Sequence, residues 1–126
     1  MRFMTLVKGF EKAGPPPQAL MDAVAKLAED AAERRSLIEA GGLQPLAAGA
    51  RVRLSGGAIT VIDGPFAEAK EVVGGYAVFE VASKQEMIEG VVRFMELHRK
   101  HWPGWEGETE VREIAPAPPH SPAAGR

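Results

Sequence analysis

Strand-like and helical patterns follow one another along the 126 residues in the order β, α, β-hairpin, β, α, β. Residues 2–8, 72–81 and 109–114 are rich in residues that favour strands. Apolar residues recur at helical spacing over about 18–40 and again from 84 to about 98–101. Two helices and an antiparallel sheet in this order predict an α+β domain. The expected plan is ferredoxin-like βαββαβ, a two-layer sandwich with both helices on one face of the sheet.

Turn and cap signals divide these segments. The Gly-Gly pair at 41–42 is expected to end the first helix. Residues 51–54 and 58–62 flank a Ser-Gly-Gly turn, which predicts a hairpin. Ser83 followed three residues later by Glu86 is the capping-box pattern, and it predicts that the second helix starts directly after Ser83.

Alternation along residues 72–81 sorts the side chains of that strand onto two faces. One face carries only apolar residues and is expected to meet the helices: Ala77, Phe79 and Val81. The other face carries an apolar residue between two polar ones: Tyr76, Val78 and Glu80. An uncovered sheet face of this kind is too apolar for a monomer, so it predicts a semi-buried cleft or a subunit interface, and hence a homodimer.

Composition excludes several classes of protein. The length suits one domain over 1–115, and the Pro- and Ala-rich residues 116–126 are expected to be a disordered tail. The absence of cysteine excludes disulfides, thiolate catalysis and Cys-based zinc sites. With 15 basic and 17 acidic residues and a net charge of −2, no nucleic-acid partner is expected. Lys8 interrupts the N-terminal apolar run and no segment has the length of a membrane span, so we expect a cytoplasmic protein without a membrane partner.

The turn after the hairpin carries the longest motif in the chain. Residues 63–71 read Asp-Gly-Pro-Phe-Ala-Glu-Ala-Lys-Glu, and Gly-Gly-Tyr follows at 74–76. This stretch resembles the hallmark of the DGPF-motif proteins of the YCII-related superfamily. The usual form there is DGPFAETKE, so Ala69 stands in place of a threonine. Residues 41–45, Gly-Gly-Leu-Gln-Pro, resemble the family segment before the hairpin, and the resemblance extends over about 1–114.

The resemblance implies a ferredoxin-like fold that pairs into a dimeric α/β-barrel. It also implies bacterial cytoplasmic proteins, many of unknown function, often encoded near extracytoplasmic-function sigma factors. Some more distant YCII-like proteins are lyase-type enzymes that act on chlorinated aromatic metabolites with a His and an Asp in the cleft. The comparable part of the first helix here has Asp30 and Glu33 but no His.

Four polar residues are candidates for a ligand site. Asp63 either caps its own turn through the following backbone N–H groups or serves as a catalytic acid or base at the mouth of the cleft. Lys70 lies in a loop of alternating charge, which is either a solvated surface or a lid whose ammonium binds an anionic group. Tyr76 and Glu80 are candidates for substrate binding. A carboxylate at the Glu80 position is exposed, paired with a basic residue of the first strand, or held in a pocket.

Two further patterns lie at the end of the second helix. His98 and His101 have a spacing that lets two imidazoles face one metal, but no third ligand is evident, so we expect no metal and no cofactor. A histidine at this position also interacts favourably with the helix dipole. The Trp-Pro-Gly-Trp segment at 102–105 predicts either a loop packed onto the domain's own core or an interface or pocket.

Three functional hypotheses follow. The first is an enzyme, or a degenerate one, that transfers a proton on a small organic acid or aromatic metabolite in a cleft of the dimer. Its polar groups are Asp63, Lys70, Tyr76 and Glu80, and it requires convergent ionisable groups with perturbed pKa values. The second is a non-catalytic ligand-binding or regulatory module associated with a sigma-factor system, which requires a shaped cleft without such groups. The third is a purely structural dimer.

Overall fold

The computed structural model describes residues 1–10, 13–63 and 72–116, which form a mixed α+β domain as the sequence predicted. The helices and strands are β1 (Arg2–Gly9), α1 (Gln18–Glu33), β2 (Leu37–Gly42), β3 (Ala50–Ser55), β4 (Ala58–Asp63), β5 (Val72–Glu80), α2 (Lys84–His101) and β6 (Gly107–Glu113). A short 3-10 helix, Leu46–Ala48, lies between β2 and β3. All but the first residue of the predicted tail lies outside the described residues.

Four of the strands form an antiparallel sheet in the order β2-β5-β1-β6, and β3 and β4 form a separate two-stranded sheet. Without the hairpin, the order along the chain is β1, α1, β2, β5, α2, β6. This arrangement is compatible with a ferredoxin-like fold in which the β3–β4 hairpin is an insertion between the second and third strands of the sheet.

The helices cover one face of the four-stranded sheet. Phe3 of β1 lies opposite Phe79 of β5 and is only 1% exposed. Leu20 of α1 and Met87 of α2 are also buried, with exposures of 2% and 3%. The core therefore lies between the two helices and the sheet face that carries Phe3 and Phe79. This is the face that the alternation in β5 predicted.

The first helix is shorter than its apolar periodicity indicated. The prediction of a helix over 18–40 is wrong in its last part, because Arg35 adopts a left-handed φ of 58°. The amide of Arg35 donates to the carbonyl of Ala32, and the amide of Ser36 donates to the carbonyl of Ala31. These paired hydrogen bonds form a Schellman C-cap, which ends the helix and turns the chain into β2.

The glycine pair expected to end the first helix therefore lies inside a strand. Gly41 is opposite Tyr76 in the pairing of β2 with β5. A Cβ at Gly41 would lie 2.9 Å from Cε1 of Tyr76, so the tyrosine ring packs directly over this glycine. The reason for the glycine is thus close approach of a neighbouring side chain, and not helix termination.

The other cap and turn predictions are confirmed. The hydroxyl of Ser83 accepts a hydrogen bond from the amide of Glu86 at 3.1 Å, and the Glu86 carboxylate accepts one from the amide of Ala82 at 2.9 Å. The hairpin turns at Gly56 and Gly57, whose φ values of 58° and 81° suit the type I′ turn of a two-residue hairpin.

Replacing Arg35 by glycine is expected to stabilise the domain. A non-glycine residue in the left-handed region costs about 1–2 kcal/mol, and glycine removes that cost. Glycine also makes the unfolded chain more flexible, which lowers the free energy of unfolding by about 0.4–1 kcal/mol. The expected net gain in the free energy of unfolding is about 0.5–1 kcal/mol, measured by urea denaturation. Arg34→Gly is the matched control, because Arg34 has a right-handed φ of −79°. A loss of stability in both variants would contradict the prediction.

Candidate functional site

A large apolar cavity lies between the helices and the sheet. Its volume is about 990 Å³, and residues of α1, α2, β1 and β5 line it together with residues 43–46. Within the described parts of the chain, four apolar residues are classed as buried: Phe3, Leu20, Ala31 and Met87. The two layers therefore do not close completely on one another. Small-molecule sites typically enclose about 300–1,000 Å³, so this cavity has room for a ligand.

Aromatic rings form one end of this cavity. The ring of His98 lies between those of Phe94 and Trp105, with centroid separations of 4.6 Å and 4.7 Å. Trp102 stacks on Trp105 with a separation of 5.8 Å and an interplanar angle of 25°. All four residues line the large cavity, and His98 and the two tryptophans also line a smaller cavity of about 320 Å³. We call these four residues the aromatic cluster.

A pair of glycines lets Trp105 lie against the sheet. Gly9 of β1 is opposite Gly107 of β6. A Cβ at Gly107 would overlap the indole ring of Trp105, and one at Gly9 would lie 3.2 Å from Cζ2 of the same ring. The loop at 102–105 therefore packs onto its own domain and also lines a cavity. The sequence analysis did not predict this contact of Trp105 with the two glycines, although glycine in a strand is a known signal of close approach.

His98 is the buried polar member of the aromatic cluster, with an exposure of 7%. Its Nδ1 lies 3.0 Å from the carbonyl oxygen of Phe94, one turn earlier in α2. A carbonyl only accepts hydrogen bonds, so Nδ1 carries the proton of the neutral ring and donates. Nε2 then presents a lone pair.

Tyr76 lies on the opposite face of the sheet from Phe3. Its hydroxyl donates a hydrogen bond of 2.5 Å to the carboxylate of Glu39 in β2. This hydrogen bond is the largest of the causes that raise the pKa of Tyr76, followed by desolvation and by the charge of Glu39. The phenol therefore stays protonated at neutral pH and acts as a hydrogen-bond donor.

Glu80 lies at the end of the same strand and is half-exposed. Its carboxylate is 2.8 Å from the amino group of Met1 and 3.4 Å from Nε of Arg2. The hydrogen bond from the amino group is the main cause that lowers the pKa of Glu80, and Arg2 contributes further. The structure shows this carboxylate both exposed and paired, which combines two of the three alternatives, and not held in a pocket.

The sheet face opposite the helices has an apolar centre between charged groups. Its central residues are Met4 opposite Val78 and Leu6 opposite Tyr76, and we call these four the open sheet face. On the β6 side, Glu110 bonds to Lys8 and to Arg112. The hydrogen bond from Lys8 is the main cause that lowers the pKa of Glu110. Sequence reasoning did not find this network, because it depends on the pairing of β1 with β6.

The structure does not bring all four candidate residues together. Tyr76 and Glu80 share the sheet face that points away from the helices, so the Tyr76 side chain does not enter the large cavity, although the residue is among those that line it. Asp63 ends β4 opposite Ala50, is exposed, and does not line the cavity. Lys70 and residues 64–71 as a whole lie outside the described residues. The roles proposed for the four residues stay predictions.

The two histidines at the end of α2 lie in different surroundings. His101 is half-buried, whereas His98 is buried in the aromatic cluster. In the ranges 1–10, 13–63 and 72–116, His, Asp and Glu side chains form no group of three or more that suits a metal ion. The described residues therefore place one buried imidazole beside an apolar cavity.

Two comparisons with known proteins show what this chain is similar to. Residues 1–94 match the family model of the YCII-related domain. The chain is also similar to an uncharacterised protein of Rhizobium meliloti (strain 1021), with 41% identity over 64 residues. That match covers 46% of this chain and 52% of the relative, so the chain spans about half the length of the curated relative it matches. The family match extends from β1 into α2 and covers most of the chain, which therefore belongs to the YCII-related family.

Proposed function

We propose that this chain binds a small organic acid or aromatic metabolite in the cavity between its helices and its sheet. The observation that carries the proposal is the cavity itself, with a volume of about 990 Å³, a mostly apolar lining and an aromatic cluster at one end. Ligand sites combine apolar walls with a few polar groups that fix orientation. The buried His98 is such a group on this cavity.

Proton transfer on the bound molecule is the second candidate function, and the buried His98 is the observation that favours it. Asp63 is retained as a proposed catalytic group, and Lys70, Tyr76 and Glu80 as proposed substrate-binding groups, of the cleft that the sequence predicts on the other sheet face and not of this cavity. The paired carboxylate of Glu80 and the raised pKa of Tyr76 favour binding roles over base catalysis for these two residues. A non-catalytic regulatory module, the alternative from the sequence, would use the same cavity without turnover.

Binding in the cavity is tested with a variant that fills it. Ala28 of α1 lines the cavity, whereas Ala32 on the same helix is exposed and does not. We expect calorimetry to detect saturable binding of benzoate or phenol to the wild type. Ala28→Phe should weaken that binding at least tenfold and Ala32→Phe should leave it unchanged, because only the first ring occupies ligand space. Binding that is equal in all three proteins, or absent from the wild type, would contradict the proposal.

We also propose that the chain forms a homodimer of the dimeric α/β-barrel type. The open sheet face supports this, since neither α1 nor α2 covers its apolar centre and ion pairs flank it at both ends of β1. Interfaces commonly have such an apolar centre and a polar rim. In a two-fold dimer each chain would offer the same face to the other.

The β3–β4 hairpin adds a second uncovered apolar surface. Val52 is opposite Val61, and Leu54 is opposite Ile59, all on one face of the hairpin. Their exposures run from 66% to 73%. A two-stranded hairpin by itself is marginally stable in water, so this face needs a partner to cover it. We propose that the partner is a second copy of the chain. Each copy carries both apolar surfaces, and a two-fold dimer buries the same surfaces on both copies.

The location of the protein is also a proposal. In the described part of the chain, no helix combines the length and the apolar character needed to cross a bilayer. The net charge of −2 and the lack of cysteine support a cytoplasmic protein without a nucleic-acid partner.

A further inference from the structure

We propose that His98 is the hydrogen-bond acceptor of the cavity and that it selects a neutral aromatic molecule with a hydroxyl donor, of the phenol class. The ring of such a ligand would lie against Trp102 and Trp105, and its O–H would donate to Nε2 of His98. The inference rests on the proposed function, because it names the ligand class and the recognition group of the same cavity.

The fixed tautomer of His98 is the first support. The contact of 3.0 Å between Nδ1 and the carbonyl of Phe94 keeps the proton of the neutral ring on Nδ1. A helix carbonyl at i−4 is part of a rigid element, so the ring is held in position as well as in protonation. Nε2 is therefore an acceptor with a defined direction.

The second support is the surroundings of Nε2. His98 is more than nine-tenths buried, yet no hydrogen bond to Nε2 is found among the described residues. In the same part of the chain, every fully enclosed side-chain nitrogen or oxygen has a partner. Nε2 is thus open to the space of the adjoining cavities. Water reaches this nitrogen when no ligand is bound, and a ligand that displaces the water without offering a donor would leave the acceptor unpaired.

The third support is the chemistry of the walls. The aromatic cluster presents ring faces and edges around His98, and such surfaces prefer another aromatic ring. A carboxylate is ionised at neutral pH and can only accept hydrogen bonds, so it has nothing to donate to a neutral Nε2. A phenol offers both the ring and the donor.

The test compares phenol with anisole, its methyl ether, which has the same ring without the donor. We expect the wild type to bind phenol at least tenfold more tightly than anisole in a calorimetric titration, since the unpaired acceptor discriminates against the ether. His98→Phe keeps a ring in the cluster but removes Nε2, and it should bind both compounds equally. His101→Phe, a change of the same kind in the same helical turn, should keep the wild-type preference.

The outcomes separate the two proposals. If the wild type binds neither compound and does not bind benzoate, the cavity is not a site for small aromatic molecules and both proposals fail. If it binds benzoate alone, the role of His98 is wrong and the proposed function stands. If it binds both equally, or if His98→Phe keeps the preference for phenol, the role of His98 is wrong while ligand binding stands. If His98→Phe does not fold, the ¹⁵N chemical shift of His98 Nε2 in the wild type tests the role of His98. A shift with phenol but not with anisole supports the inference, and the same response to both compounds overturns it.

Discussion

Replacing Phe3 by alanine is expected to lower the free energy of unfolding by about 3–5 kcal/mol, the usual cost of removing a buried phenyl ring. Phe3 is the largest fully buried side chain among the described residues. It lies in β1 opposite Phe79, on the sheet face that the helices cover. Small domains have a total stability of about 5–15 kcal/mol, so this change removes a large part of it.

Phe10→Ala is the matched control, because it removes the same ring from a site that is 52% exposed. We expect that variant to lose less than about 1 kcal/mol, as surface substitutions usually do. Guanidinium denaturation monitored by circular dichroism measures both variants under one set of conditions. Equal losses in the two proteins would mean that Phe3 is not the centre of the core.

The parts of the fold that were predictable are those that local sequence determines. The capping box at Ser83 and the Gly-Gly turn of the hairpin each satisfy backbone groups a few residues away, so their residue types identify them. The second strand was missed for the opposite reason. Ile38 lies seven residues after Ala31 and so continues the helical spacing of α1. The residue that ends the helix is Arg35, in a left-handed conformation where glycine is the usual signal.

The candidate site divides in the same way. Alternation in β5 placed Tyr76 and Glu80 on one face, because a strand has a strict period of two. The aromatic cluster around His98 was not predictable, because it depends on the pairing of β1 with β6 and on the spacing of the helices from the sheet. Pairing partners far apart in sequence leave no local pattern. Lys70 and most of the motif at 63–71 lie outside the described residues, so the strongest sequence signal remains a prediction.

Ile59→Lys is expected to convert a dimer into a monomer at micromolar concentration. Ile59 is 73% exposed and lies opposite Leu54 on the apolar face of the β3–β4 hairpin. If a second copy covers this face, burial of the isoleucine contributes about 1.5–3 kcal/mol per chain. Its loss alone raises the dissociation constant of the dimer at least about tenfold, and the buried ammonium raises it further. Sedimentation equilibrium measures the dissociation constant directly.

Ala58→Lys is the control that separates the apolar face from the hairpin as a whole. Ala58 neighbours Ile59, is exposed, and lies opposite Ser55 on the other face of the same hairpin. The Ala58→Lys variant should therefore have the dissociation constant of the wild-type dimer.

A monomeric wild type would end the dimer proposal altogether. A dimer that tolerates lysine at Ile59 but dissociates when Val78 becomes lysine would confine the interface to the open sheet face. In that case the apolar face of the hairpin would need a different partner, because an uncovered surface of this composition is not expected to face water in the working protein.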